Sequence, residues 1–221
     1  MITGQRDLHD RVDVHLILVA DHQPPNPGAD RQNRCLRRRV ERRLDTARFS
    51  PEPALFFVFG ASGDLAHRKI FPALYDLYLE RQLPQDLLMI GVARRDYGTK
   101  QFRELLHDAC VAHSRHRSEA LHDEAWSDFS GRIFYLRNDV EDADSYGAIR
   151  KLVVERDRGA LAGLSPDARL PENTLYYLAV TPELFPLIAE HLGRSGCGSD
   201  ASAKGWRRLV VEKPYGKDQQ S

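Results

Sequence analysis

The chain has 221 residues, 42% of them hydrophobic, with Lys+Arg and Asp+Glu balanced at 32 each. That is enough for one sizeable core and an appendage, and a formal net charge of zero gives no general attraction for nucleic acid or for a membrane surface. Three scattered cysteines, Cys35, Cys110 and Cys197, point to reduced thiols in a cytoplasmic setting and not to a disulfide frame.

Residues 1–50 differ from the rest. Three prolines fall between 21 and 30, and Arg31 to Arg48 carries eight arginines against Glu41 and Asp45, with no apolar face. We read this as a solvated, poorly ordered extension in preference to a basic arm for nucleic acid. The apolar run from Leu16 to Ala20 is too short to span a bilayer, and the acids Asp7, Asp10 and Asp13 ahead of it are wrong for a secretory signal.

From residue 51 onward strands and helices alternate. Ala54–Phe59 is a continuous apolar run, as in a strand covered on both faces. Ile70, Ala73, Leu74, Leu77 and Tyr78 fall at helical spacing, and Pro72 predicts a kink or a fresh helix start. Leu87–Ala93 is a second strand. Thr99 is placed to cap a helix facing inward with Phe102, Leu105, Leu106, Ala109 and Cys110. A polar, His-rich connection leads to a third strand at Ile133–Leu136.

Tyr146, Ile149, Leu152 and Val153 mark the next helix, and 159–171 reads as a loop. Leu175–Val180 is a fourth strand, a helix begins near Pro182, 193–205 is a flexible loop, and Leu209–Val211 is a fifth strand. This order implies an α/β fold with a doubly wound, mostly parallel sheet. Such sheets bind ligands beyond the carboxyl ends of their strands, where Gly60, Arg94, Thr181 and Lys213 all fall.

The turn Gly60-Ala61-Ser62-Gly63-Asp64-Leu65-Ala66 ends an apolar strand and opens a helix. Free backbone N–H groups and the helix dipole gather an anion at such a place, and glycine lets a pyrophosphate approach the backbone. Ser62 and Ala66 stand where the common motif has glycine. Arg94 and Arg95 follow the second strand where an adenosine ribose would lie. Guanidinium groups there favour a 2′-phosphate, which predicts NADP over NAD.

Lys213 comes off the fifth strand between Glu212 and Pro214. The proline restricts it to extended conformations and so aims its ammonium. Of the adjacent Tyr176 and Tyr177, one packs inward and the other is free to reach a cofactor. His107, His113, His116 and His122 sit in a charged connection without cysteines, so no metal site is expected. A sugar-nucleotide type of reductase would show Tyr-x-x-x-Lys, and none of Tyr75, Tyr78, Tyr97, Tyr135, Tyr146 and Tyr177 has a lysine four residues on.

Together, Gly60-Ala-Ser-Gly-Asp-Leu-Ala66 with Lys69, Gly91-Val-Ala-Arg94, Tyr177-Leu-Ala and Glu212-Lys-Pro-Tyr-Gly216 resemble glucose-6-phosphate dehydrogenase from about Ala54 to Asp218. The resemblance implies a Rossmann-like domain over 51–221. NADP would lie on Gly60, Ala61, Ser62, Gly63, Asp64, Leu65, Ala66 and His67, with Arg94 on its 2′-phosphate and Tyr177 along it. Lys213 would contact both nicotinamide and the substrate, glucose 6-phosphate, and would be the catalytic residue present. The family's substrate motif, its base histidine, its C-terminal β+α domain and its homo-oligomer interface have no counterpart here. On the resemblance the chain is therefore expected to be the cofactor part of the enzyme, inactive alone. A non-catalytic NADP-binding module is the alternative.

Overall fold

The computed structural model describes residues 51–115, 123–165, 167–198 and 204–212. The reading of 1–50 as an extension lies outside them.

Strand β1 is Ala54–Phe59, buried along its whole length as a continuous apolar run requires. It forms the middle of a five-stranded, all-parallel sheet with β2 (Leu88–Ala93), β3 (Ile133–Arg137), β4 (Asn173–Leu178) and β5 (Arg207–Val211), in the order β3-β2-β1-β4-β5. Side chains of β1 alternate between two cores. Ala54, Phe56 and Val58 meet helices α1 (Phe71–Leu79), α2 (Thr99–His113) and α3 (Asp123–Gly131). Leu55, Phe57 and Phe59 meet α4 (Gly147–Val153) and α5 (Phe185–Arg194) on the opposite face. The expected doubly wound α/β architecture is present.

Of the two outcomes expected at Pro72, the fresh helix start is present: a π-helical turn over Ala66–Ile70 feeds directly into α1, with the proline in its first turn. Other local details depart from the sequence reading. Thr99 is not a cap. Gly98 occupies that position, and the Thr99 hydroxyl accepts the backbone N–H of Tyr135 on β3 (3.3 Å). Helix α3 stands where part of a polar connection was expected. Trp126 and Phe129 dock there against Tyr75 with ring centroids 5.5 and 5.0 Å apart.

Strand β4 begins and ends two residues earlier than expected, because Ala179 and Val180 turn in towards Gly60. Below the strands, Asn173 donates to the Pro53 carbonyl (3.0 Å) and accepts from the Trp206 backbone N–H (3.1 Å). The Trp206 indole in turn donates to Glu52. The chain entering β1 is thereby stitched to the start of β5.

Candidate functional site

All five strands run the same way, so the ends of β1, β2, β4 and β5 converge on one pole of the sheet. At its centre the chain leaves β1 through Gly60 with φ +79°, a left-handed conformation. The Gly60 and Ala61 amides both donate to the Val92 carbonyl of β2 (2.9 and 3.2 Å), and a Cβ on Gly60 would lie 2.3 Å from the Ala179 carbonyl oxygen. The first glycine is therefore required by the crowding of three strand ends, a structural need distinct from anion approach.

Gly63 N–H returns to the Gly60 carbonyl (2.9 Å), and His67 N–H donates to the Gly63 carbonyl (3.2 Å), closing the first helical turn. The amides just before His67 thus stand at a helix N-terminus, with no helical carbonyl ahead of them. Gly63 and Asp64 are exposed there, Ser62 and Leu65 half-buried, and Ala61 and Ala66 buried against the sheet. The alanine at the third glycine position is packing material.

His67 is half-buried, with its ring 6.4 Å edge-on from Phe102 and its Nε2 without a partner among the described residues. Burial holds its pKa below the ordinary histidine value. A backbone hydrogen bond at Ala61 opposes this, Arg95 lowers the pKa further, and Asp64 raises it. The influence of Arg95 places the end of β2 beside the glycine turn.

An imidazole held this way takes up its proton more readily in the unfolded chain, whose histidine pKa is about 6.5. Its contribution to stability is complete above that value and is lost as pH falls towards the lowered folded pKa. We expect the urea midpoint to fall between about pH 7.5 and pH 5.5, and to fall less in His67→Gln. An equal fall in both proteins would remove His67 as the cause.

Arg94 projects from the end of β2, with its side chain 69% exposed and 3.7 Å from the similarly exposed Glu141. Such a pair contributes little, about 0–1 kcal/mol, so a stronger anion can displace Glu141. Arg95 donates to the Tyr97 hydroxyl (2.9 Å). The Tyr135 hydroxyl lies between the carbonyls of Ala93 (3.1 Å) and Arg95 (2.7 Å), pinning this arginine turn to β3. Burial pushes the Tyr135 pKa to about 12, so it remains a neutral donor.

Tyr176 is the inward member of its pair, donating to the Cys197 carbonyl (2.8 Å). Tyr177 faces the α1–α2 side, edge-on to Phe56, and donates to the carboxylate of Glu212 at the end of β5. Burial first, then this carboxylate, raises its pKa. Lys213 lies outside the described residues. The structure therefore gathers Gly60 to His67, Arg94 and Tyr177 at one pole. Sequence reasoning missed Glu141, the clamp by Tyr135 and the fit of the Phe102 ring onto Gly91, all contacts between distant segments. Among the described residues no group of three or more side chains is arranged to hold a metal, and no helix is long and apolar enough to cross a membrane.

A family model described as glucose-6-phosphate dehydrogenase, NAD binding domain, matches residues 57–221. Glucose-6-phosphate 1-dehydrogenase of Aggregatibacter actinomycetemcomitans is 36% identical over 170 residues, covering 77% of this chain and 31% of its own length. The Bacillus subtilis enzyme of that name is 31% identical, covering 75% and 30%. The crystal structure of glucose-6-phosphate 1-dehydrogenase from Mycobacterium avium superposes with a TM-score of 0.57 at 30% identity, covering 75% of this chain and 31% of that one. A glucose-6-phosphate dehydrogenase in complex with its substrate glucose-6-phosphate gives 0.60 at 27% identity, covering 76% and 32%. The chain thus spans about a third of the length of the relatives it matches.

Proposed function

The chain belongs to the glucose-6-phosphate dehydrogenase family, and on that premise we propose that it is the NADP-holding part of an oxidoreductase that converts glucose 6-phosphate to 6-phosphogluconolactone, the entry reaction of the oxidative pentose phosphate route, in the cytoplasm. The observation that carries the reading is the turn Gly60–His67, a helix N-terminus opening beyond the central strand with an arginine pair beside it.

The residues present suit a nicotinamide dinucleotide. The exposed Gly63, its own N–H turned back onto the Gly60 carbonyl, leaves the amides of Asp64, Leu65 and Ala66 at the helix start open to a pyrophosphate, which a side chain there would overhang. Arg94 and Arg95 supply two guanidinium groups for the 2′-phosphate, with Tyr135 holding the backbone between them in place. Tyr177 donates to Glu212, immediately before Lys213, which would hold the substrate oxygen and its phosphate. When bound, NADP accepts the hydride from C1 of the sugar. Removal of the hydroxyl proton needs a general base, and no histidine of this sequence matches that role. These 221 residues assayed alone are therefore expected to bind NADP without turnover.

Fluorescence titration with NADPH and NADH tests the cofactor assignment. Arg94→Ala should reduce the preference for NADPH about tenfold or more while leaving NADH binding little changed, as loss of a charge-assisted phosphate contact requires. An unchanged preference would sink the assignment of Arg94. Failure of both nucleotides to bind the parent chain would sink the whole reading.

A further inference from the structure

The end of β2 carries arginines where a dinucleotide fold ordinarily places the acid that accepts the ribose 2′-hydroxyl. The structure brings an acid to that place from the neighbouring strand. The turn after β3 lies against the end of β2, with the Asn138 amide donating to the Ala93 carbonyl (3.0 Å). On that turn the Glu141 carboxylate stands 3.7 Å from the Arg94 guanidinium, and both side chains are exposed. Asp96, the acid that follows the arginine pair, instead faces Arg137 (3.7 Å).

The backbone around Glu141 is held in place. Its own amide donates to the Asp139 carboxylate (3.2 Å), and the Asp142 amide donates to the Asp139 carbonyl (3.1 Å). The Tyr146 hydroxyl, on a fully buried ring, donates to the Val140 carbonyl (3.1 Å). Ser145 Oγ lies 2.6 Å from the carbonyls of both Asp139 and Asp142. A ligand anion can therefore displace the carboxylate from Arg94, but the turn keeps its charge close by. Granted the dinucleotide reading of this pole, we propose that Glu141 is a second specificity-determining residue there, accepting the 2′-hydroxyl of NAD and repelling the 2′-phosphate of NADP. An ionised acceptor makes a hydrogen bond about twice as strong as a neutral one, which favours NAD. A 2′-phosphate on Arg94 gains the guanidinium but meets a like charge a few ångströms away, which opposes NADP. Arg94 and Glu141 thus pull in opposite directions. The chain accepts both nucleotides, with a smaller preference for NADP than its arginines alone would set.

Fluorescence titration of the whole chain carrying Glu141→Gln, with NADPH and NADH, tests this. NADPH should bind about threefold or more tighter and NADH about threefold or more weaker, so the preference rises about tenfold. The exposed Asp144 supplies the control: Asp144→Asn removes the same charge from the same segment and should leave the preference unchanged. A preference that stays the same or falls in Glu141→Gln overturns the proposal, a fall meaning that the carboxylate serves only to steady Arg94. An equal rise in both variants also overturns it, as a general effect of charge. Among the described residues, the hydrogen bonds of the turn use the Glu141 backbone and not its side chain, so the urea midpoint should be kept. Should the glutamine variant prove unstable, Glu141→Ala removes the same charge and is read in the same way. A parent chain that binds NADPH, with no shift in the variant, fails this proposal alone. A parent chain that binds neither nucleotide fails the dinucleotide reading itself, and this proposal with it.

Discussion

Gly60→Ala should destabilise the domain by about 3 kcal/mol or more, a large share of a typical folding free energy of about 5–15 kcal/mol, and abolish dinucleotide binding with it. Two costs add. A residue with a Cβ in the left-handed region loses about 1–2 kcal/mol. The new methyl would also sit 2.3 Å from the Ala179 carbonyl oxygen and 2.9 Å from a Val180 side-chain carbon, so the turn after β4 must move away from β1. Gly63→Ala is the informative partner. Its φ is not positive and its Cβ would meet only the Gly60 carbonyl oxygen, at 3.1 Å. We expect a loss of no more than about 1 kcal/mol in urea unfolding, together with weakened NADP binding, because the methyl overhangs the open amides. If the two variants unfold at the same urea concentration, the division between a structural first glycine and a ligand-clearing second one is wrong.

Phe102→Ala should cost about 3–5 kcal/mol, the usual range for emptying the site of a buried phenylalanine. The ring is fully buried, 5.6 Å from Phe71 and 4.9 Å from Tyr135, and it covers Gly91 in the middle of β2. A Cβ on Gly91 would lie 2.5 Å from the ring, so the glycine exists to let α2 lie close on the sheet. Gly91→Ala alone should therefore be severe, and much milder once Phe102 is already alanine. A double-mutant cycle on urea midpoints reads this directly: strong non-additivity is expected, and simple additivity would mean that the two residues do not share the space.

These contacts also mark the limit of what the sequence disclosed. β1 was legible to the residue because a strand covered on both faces leaves an unbroken apolar run ended by glycine. β4 was misplaced by two residues for the converse reason: Ala179 and Val180 are apolar, yet they lie past the strand in the turn packed on Gly60, with Ala179 making a last backbone bond to the Phe59 carbonyl (2.9 Å). Helix α3 went unseen because only Trp126 and Phe129 are large and apolar in it. Their helical spacing was the available signal, but acidic and polar neighbours diluted it. At the site, the glycine turn and the arginine pair were readable because local chain geometry creates them. The salt bridge of Glu141 to Arg94 and the hold of Tyr135 on the Arg95 carbonyl arise only when β3 docks beside β2.

The stitch of Asn173, Trp206 and Glu52 at the foot of the sheet has a practical corollary. Residue 51 lies at the end of the sheet remote from the nucleotide turn. In a chain begun at residue 51, an affinity handle, surface tether or fluorescent reporter fused there should leave ligand access unobstructed. Pulling on that attachment would load the Glu52–Trp206 contact first, before any strand of the sheet began to shear.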